Sequence, residues 1–212
     1  MKKLNLVIAL VFCISLIHAQ DNETGNNNQG EFKTIFGGKS VGGYGSFGFG
    51  YSTIDNRSAL VFNARGGAIL GHWLSLGIAG QGFINEPKYD NTINKDASLA
   101  GGYGGFYFEP IIFPNSGVHV SFPVLLGVGG VAYSSFSNDS NHHDHESDGD
   151  VETSRTFAVI EPAAELEFNF TKWLRIAAFV SYRYTTNIDW QVTHTDALNN
   201  FSTGLEFKFG KF

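Results

Sequence analysis

Apolar and polar residues alternate along most of this chain. Over 174–184, Leu174, Ile176, Ala178, Val180, Tyr182 and Tyr184 share one parity, while Arg175, Ala177, Phe179, Ser181 and Arg183 share the other. A period of two marks a strand with two unlike faces. The segment before it repeats the pattern, with Ile160, Pro162, Ala164, Leu166, Phe168 and Phe170 set against Glu161, Ala163, Glu165, Glu167 and Asn169. Extended along the chain, the alternation predicts eight strands over 40–54, 57–71, 73–86, 97–113, 117–136, 155–170, 173–188 and 199–212. Their joins differ in length. Gly71-His72-Trp73, 113–117 and 169–173 are short, whereas 86–96, 137–154 and 189–198 are long. The first join, at Asp55-Asn56, is short and carries a turn signal. Short joins on one side and long ones on the other fit a membrane-spanning antiparallel barrel.

Charge decides which face points out. An Arg on the lipid face costs roughly 2–4 kcal/mol at the bilayer midplane, so Arg175 and Arg183 are assigned inward and the even-numbered residues of that strand outward. A turn over Thr171-Lys172-Trp173 pairs Phe170 with Leu174, which opposes Glu161 to Arg183 and Asn169 to Arg175. Glu167 is then diagonal to Arg175, within reach of a long side chain. The same parity places Arg65, Glu109, His119, Glu165, Glu206 and Lys208 inside. Side chains fill the lumen of an eight-stranded barrel, so a mixed-charge plug is expected and no continuous pore. Ion pairing that fixes the barrel accounts for these carboxylates; the functional alternative is a proton or ion path.

The last strand, Phe201-Ser-Thr-Gly-Leu-Glu-Phe-Lys-Phe-Gly-Lys-Phe212, again has one oily face. Ending in Phe, the chain resembles bacterial outer-membrane β-barrels, whose final strand commonly carries a terminal Phe as an assembly signal. It is similar in architecture to small barrels of the OmpA/OmpX-like superfamily, especially those from Bacteroidota. That resemblance implies a place in the cell outer membrane of a Gram-negative bacterium. It also implies contact with outer-membrane lipids and lipopolysaccharide, and a passage through barrel-assembly machinery. Phe212 is off the parity of Phe207 and Phe209; a bulge or an inward-turned terminal ring must absorb this.

The ends and composition agree. Lys2 and Lys3, the apolar stretch 4–17 and Ala19 read as an export signal over residues 1–19. Residues 20–39 begin Asn-rich and polar and read as a flexible periplasmic lead into a barrel over 40–212. Cleavage after Ala19 removes Cys13, the single cysteine, leaving no thiol for disulfide, nucleophile or metal ligand. It also makes the formal charge of −6 two units more negative, which argues against nucleic-acid binding. Trp73, Trp173 and Phe113 fall at periplasmic turns, and Tyr51, Tyr133, Tyr184 and Trp190 toward the outer rim, the headgroup levels that aromatic rings prefer.

Candidate chemistry is sparse. His142, His143, His145 and Glu146, with Asp144, Asp148 and Asp150 nearby, offer ligand types for zinc, copper or nickel. They lie in the longest outer join and match no defined spacing, so a solvated acidic loop is the simpler reading. Ser134, Ser135 and His194 could meet near the outer rim, as in lipid-modifying barrel hydrolases, but no spacing identifies a triad. No cofactor is expected. The sequence therefore points to a non-enzymatic membrane scaffold that presents outer loops. The alternatives are an accessory subunit of a larger outer-membrane complex with protein partners there, a barrel hydrolase, or a soluble lipocalin-like barrel.

Overall fold

The computed structural model describes residues 41–90, 95–136, 151–187 and 196–212. The expected export segment and polar lead lie outside these residues, as do His142, His143, His145, Glu146, Trp190 and His194. The described chain is all-β. Its strands are β1 (Val41–Ile54), β2 (Arg57–Leu70), β3 (Leu74–Asn85), β4 (Lys88–Asp90), β5 (Lys95–Ile112), β6 (Val118–Ser121), β7 (Val124–Phe136), β8 (Val151–Asn169), β9 (Leu174–Thr185) and β10 (Asn200–Lys211).

All pairings are antiparallel. They run β1–β2–β3–β5, then through β6 and β7 to β8, β9 and β10. β10 pairs back onto β1 from Gly43↔Lys211 to Ser52↔Ser202, so the sheet returns to its starting strand. This leaves β1 and β10 no free ladder edge along that stretch.

Three expectations about strand limits are corrected. The run 117–136 is split into β6 and β7, because Pro123 has no N–H to give the ladder. Phe122 N to Pro110 O (3.0 Å) and Ala163 N to Pro123 O (2.8 Å) carry the register across the break. The join 86–96 is not all loop: β4 pairs with Lys95–Ala97, one residue out of step with β3. β8 also starts earlier than expected, at Val151, and a register shift lies opposite it between Tyr133 and Ser134.

Turn chemistry explains the short joins. Asp55 (φ 54°) and Asn56 (φ 58°) are both left-handed, the geometry of a two-residue hairpin whose twist suits the flanking strands. Asp and Asn tolerate that region because their short polar side chains bond locally. In the join after β8, Phe170 N and Thr171 N both donate to Leu174 O at 3.0 Å, and Thr171 Oγ1 accepts from Leu174 N. The turn fixes the expected register, with Asn169 opposite Arg175 and Glu165 opposite Phe179.

The inward face of β9 is buried at Arg175, Ala177, Phe179, Ser181 and Arg183, while Ala178, Val180, Tyr182 and Tyr184 are exposed outward. The outward face elsewhere is equally apolar, with Phe47, Phe49, Leu60, Phe62, Ile78, Phe106, Val128, Leu166 and Phe201 all exposed. This arrangement inverts a water-soluble globule, in which large apolar side chains are the ones taken inside.

Candidate functional site: the charged interior

Strands far apart in sequence send charged side chains into one interior. Lys208 on β10 is 1 % exposed. Its ammonium lies 2.5 Å from Glu109 Oε1, 2.7 Å from Glu165 Oε2 and 2.7 Å from Glu167 Oε1. One carboxylate oxygen from each of these three residues lies within 4.8 Å of the others, a spacing that could hold a hard cation. Here the Lys208 ammonium supplies the positive charge.

Arg65 on β2 pairs with Glu165 and forks onto Glu206, with Nε 3.0 Å from Glu206 Oε1. His119 Nε2 lies 2.9 Å from Glu167 and 3.2 Å from Arg175 Nη1, and Arg175 also reaches Glu167 at 3.4 Å. Bringing such ions out of water is costly, and only close pairing with further hydrogen bonds offsets it. Hydroxyls supply those bonds. Tyr44 donates to Glu109 at 2.6 Å, Ser121 to Glu167 at 2.7 Å and Ser181 to Glu161 at 2.6 Å. Tyr107 donates to Tyr44 at 2.9 Å and meets Ser75 at 3.1 Å.

Glu161 and Arg183 depart from simple pairing. The β8–β9 register sets position 161 opposite 183, between the Ile160–Tyr184 and Ala163–Ser181 pairs. The ladder skips that step because Pro162 has no N–H. Glu161 accepts from Tyr103 and Ser181. Arg183, fully buried, donates through Nε to Leu198 O at 2.7 Å and through Nη2 to Ser52 Oγ at 3.2 Å, with its guanidinium 5.8 Å from the Tyr103 ring centroid. A tyrosine therefore stands between the two charges, and no ion pair joins them.

The interior is stopped differently at its two ends. At one, Ile54, Leu99 and Leu198 are 0–1 % exposed, and Asp55 N donates to Ala197 O at 3.0 Å, drawing the chain before β10 over the first hairpin. At the other, the Phe212 ring packs 6.0 Å from the ring of Tyr44 and under the guanidinium of Arg175. The β1–β10 register runs without a bulge, so the inward-turned ring resolves the parity of Phe212.

Of the hydroxyl shell, Ser181 lies on the face the sequence assigns inward, whereas Tyr44, Tyr103, Tyr107, Ser75 and Ser121 are not among the residues singled out from the sequence. Their signal was parity, since each shares a face with an interior charge on its own strand or the next. Ser134 and Ser135 lie on β7, but their side chains fall outside the described residues.

No family model matches the sequence, and no curated protein does. Among solved structures the chain is similar to neisserial surface protein A, at TM-score 0.54 and 9% identity, over 81% of this chain and 97% of that one. It is more distantly similar to Ail, the attachment invasion locus protein of Yersinia pestis, at TM-score 0.44 and 17% identity over 81% of this chain and 98% of that one. The N-terminal β-barrel domain of Pseudomonas aeruginosa OprF aligns at TM-score 0.43 and 11% identity, over 81% of this chain and 98% of that one. At such identities the likeness is one of fold alone.

Proposed function

We propose that this chain is an eight-stranded transmembrane β-barrel of the cell outer membrane, a non-enzymatic scaffold with a lumen filled by its own side chains that presents loops to the outside. The observation that carries this reading is the inversion of polarity: Phe106 and Val128 stand 77% and 70% exposed while Lys208 and Glu206 are 1% and 0% exposed. An apolar belt around a charged, largely ion-paired interior suits a hydrocarbon surround. The strands that count as one position each are β6 with β7, and β3 with its extension β4.

Residues 1–19 serve as the export signal and 20–39 as a periplasmic lead. The partners are outer-membrane lipids, lipopolysaccharide at the outer rim and the assembly machinery during biogenesis. The charged network is the barrel's internal skeleton. An affinity pull-down from native membranes tests the scaffold role. The free barrel recovers no stoichiometric protein; a constant companion in fixed ratio means an accessory subunit instead.

A further inference from the structure

Three of the five prolines stand in the wall of the sheet at adjoining positions of successive ladders. Pro110 O on β5 accepts from Phe122 N at 3.0 Å, and Pro123 O, between β6 and β7, accepts from Ala163 N at 2.8 Å. In an antiparallel ladder such a pair exchanges two bonds, and proline cannot return the second, to Phe122 O or to Ala163 O. Backbone N–H groups point to alternate neighbours along a strand. Ala163 N turns toward Pro123, so position 162 turns to β9, where Pro162 has no N–H to give and the ladder skips the step opposite Tyr182. One bond is thus removed from each of three successive ladders, along a line that crosses the wall. Proline is ordinarily kept to edges, strand starts and bulges, but this sheet closes on itself and leaves the three no edge.

We infer that this line is a hinge, and that β6 with the turn before it is a flap that parts from β5 and stays with β8. The flap's periplasmic position rests on the reading of the chain as a transmembrane barrel. β6 meets β5 at two positions, Ile111↔Ser121 and Ile112↔Val120, but meets β8 at four, from Val118↔Phe168 to Ser121↔Glu165. Its inward side chains bond the same way. His119 Nε2 lies 2.9 Å from Glu167 Oε2, and Ser121 Oγ donates to Glu167 Oε1 at 2.7 Å. The turn is tied to β8 as well, with Asn169 N donating to Gly117 O and Asn169 Nδ2 to Ser116 O, both at 2.9 Å. Where the chain leaves β5, Phe113 has a φ of 59°, a left-handed conformation that bulky residues seldom hold. The flap therefore has a pivot at each end, Phe113 and Pro123.

Its place in the wall permits the motion. Amides freed in hydrocarbon find no partner. Exposed Phe113 and Trp173 set this end at the headgroup level, where water takes them up. Lifting β6 from β5 opens a slot from the periplasm toward Glu109 and Lys208, while buried Ile54, Leu99 and Leu198 keep the other end shut. The result is a local opening in a closed barrel and not a pore through it.

Amide hydrogen exchange, followed by NMR on the mature chain in lipid nanodiscs, tests the flap. Phe122 N faces β5, so Val120 N does too, and the amides of His119 and Ser121 face β8. After correction for intrinsic rates, Val120 and Phe122 should exchange at least about tenfold faster than His119 and Ser121, as local opening on one side requires. Uniform protection of the four means a sealed wall, and uniform rapid exchange means that β6 frays as a whole; either overturns the inference. Pro110→Ala returns an N–H opposite Phe122 O. It should slow exchange at Val120 and Phe122 severalfold and leave His119 as it was, and unaltered rates at Val120 and Phe122 contradict the hinge. If that variant fails to fold, the alternation in the wild type still decides. The comparison lies within one strand, so it is separate from the belt amides 60–64 of β2. Rapid exchange there counts against a membrane-spanning barrel and not against the flap.

Discussion

The guanidinium of Arg175 lies over the ring of the terminal residue Phe212, 3.9 Å from its centroid. The Phe212 side chain thus closes one end of the interior through a cation–π contact. Such contacts contribute roughly 0.5–2 kcal/mol, more when desolvated. Phe212→Leu keeps an apolar terminus but removes the π face, and should destabilise by about 1 kcal/mol. In the background of Arg175→Met the same change should cost much less. Urea unfolding in lipid vesicles provides the double-mutant cycle, and simple additivity of the two variants contradicts a direct contact.

Lys208 is the cation that three carboxylates share. Removing one partner of a buried charge cluster leaves uncompensated charge, at roughly 3–5 kcal/mol. Lys208→Met should therefore unfold far more readily than wild type. Adding Glu109→Gln and Glu167→Gln should return a substantial part of the loss. Equal midpoints for wild type and Lys208→Met in the same unfolding assay would contradict the shared role.

Glycines on the two faces should respond oppositely to a methyl group. A Cβ on inward Gly105 would stand 2.5 Å from Gly127 Cα and 2.8 Å from Leu126 C, both backbone atoms that cannot swing away. A Cβ on outward Gly82 meets nothing closer than 3.9 Å. Gly105→Ala should cost about 1–3 kcal/mol as overpacking. Gly82→Ala should be neutral or stabilise by up to about 1 kcal/mol, since it restricts the unfolded chain. Thermal unfolding of the two variants side by side is the check, and equal losses would refute the inward–outward assignment.

The alternation of β8 and β9 was legible in sequence because their two faces meet unlike surroundings, and the turn at 171–173 fixed which residues oppose. What stayed hidden depends on three-dimensional curvature. Nothing in the spacing of Glu109, Glu165, Glu167 and Lys208 says that β5, β8 and β10 converge on one ammonium. Glu161 and Arg183 were legible as neighbours, but Tyr103 comes from β5, and its insertion follows from ring size and not from pairing. The break at Pro123 was foreseeable from its missing N–H, yet the apolar run around it masked the boundary. The orientation of Phe212 was open between a bulge and an inward ring, because both satisfy the same parity. The His142–Glu146 cluster lies outside the described residues, so its metal chemistry is carried by the sequence alone.

Val180 lies on the outward face of β9, 47% exposed, between Ala164 and Thr203. An arginine there must sit in hydrocarbon, at about 2–4 kcal/mol if it lies near the midplane. Val180→Arg should slow insertion into vesicles and lower stability by that order, whereas Val180→Leu should leave both unchanged. Equal folding of Val180→Arg and wild type in lipid would remove the lipid-facing assignment.

Spin labels on consecutive positions 176–184 of β9 in lipid bilayers report whether the barrel spans the membrane with a closed interior. Cys13 is the only cysteine and lies in the segment read as the export signal, so single-cysteine variants of the mature chain carry one label each. A period of two is expected: Ala178, Val180 and Tyr182 accessible to dissolved oxygen from the lipid, and Ala177, Phe179 and Ser181 accessible neither to oxygen nor to a water-borne nickel chelate. Nickel access on the inward positions would mean an open aqueous pore, and nickel access on the outward positions would mean a barrel that does not span the membrane. Either result would rule out a closed barrel that spans the membrane.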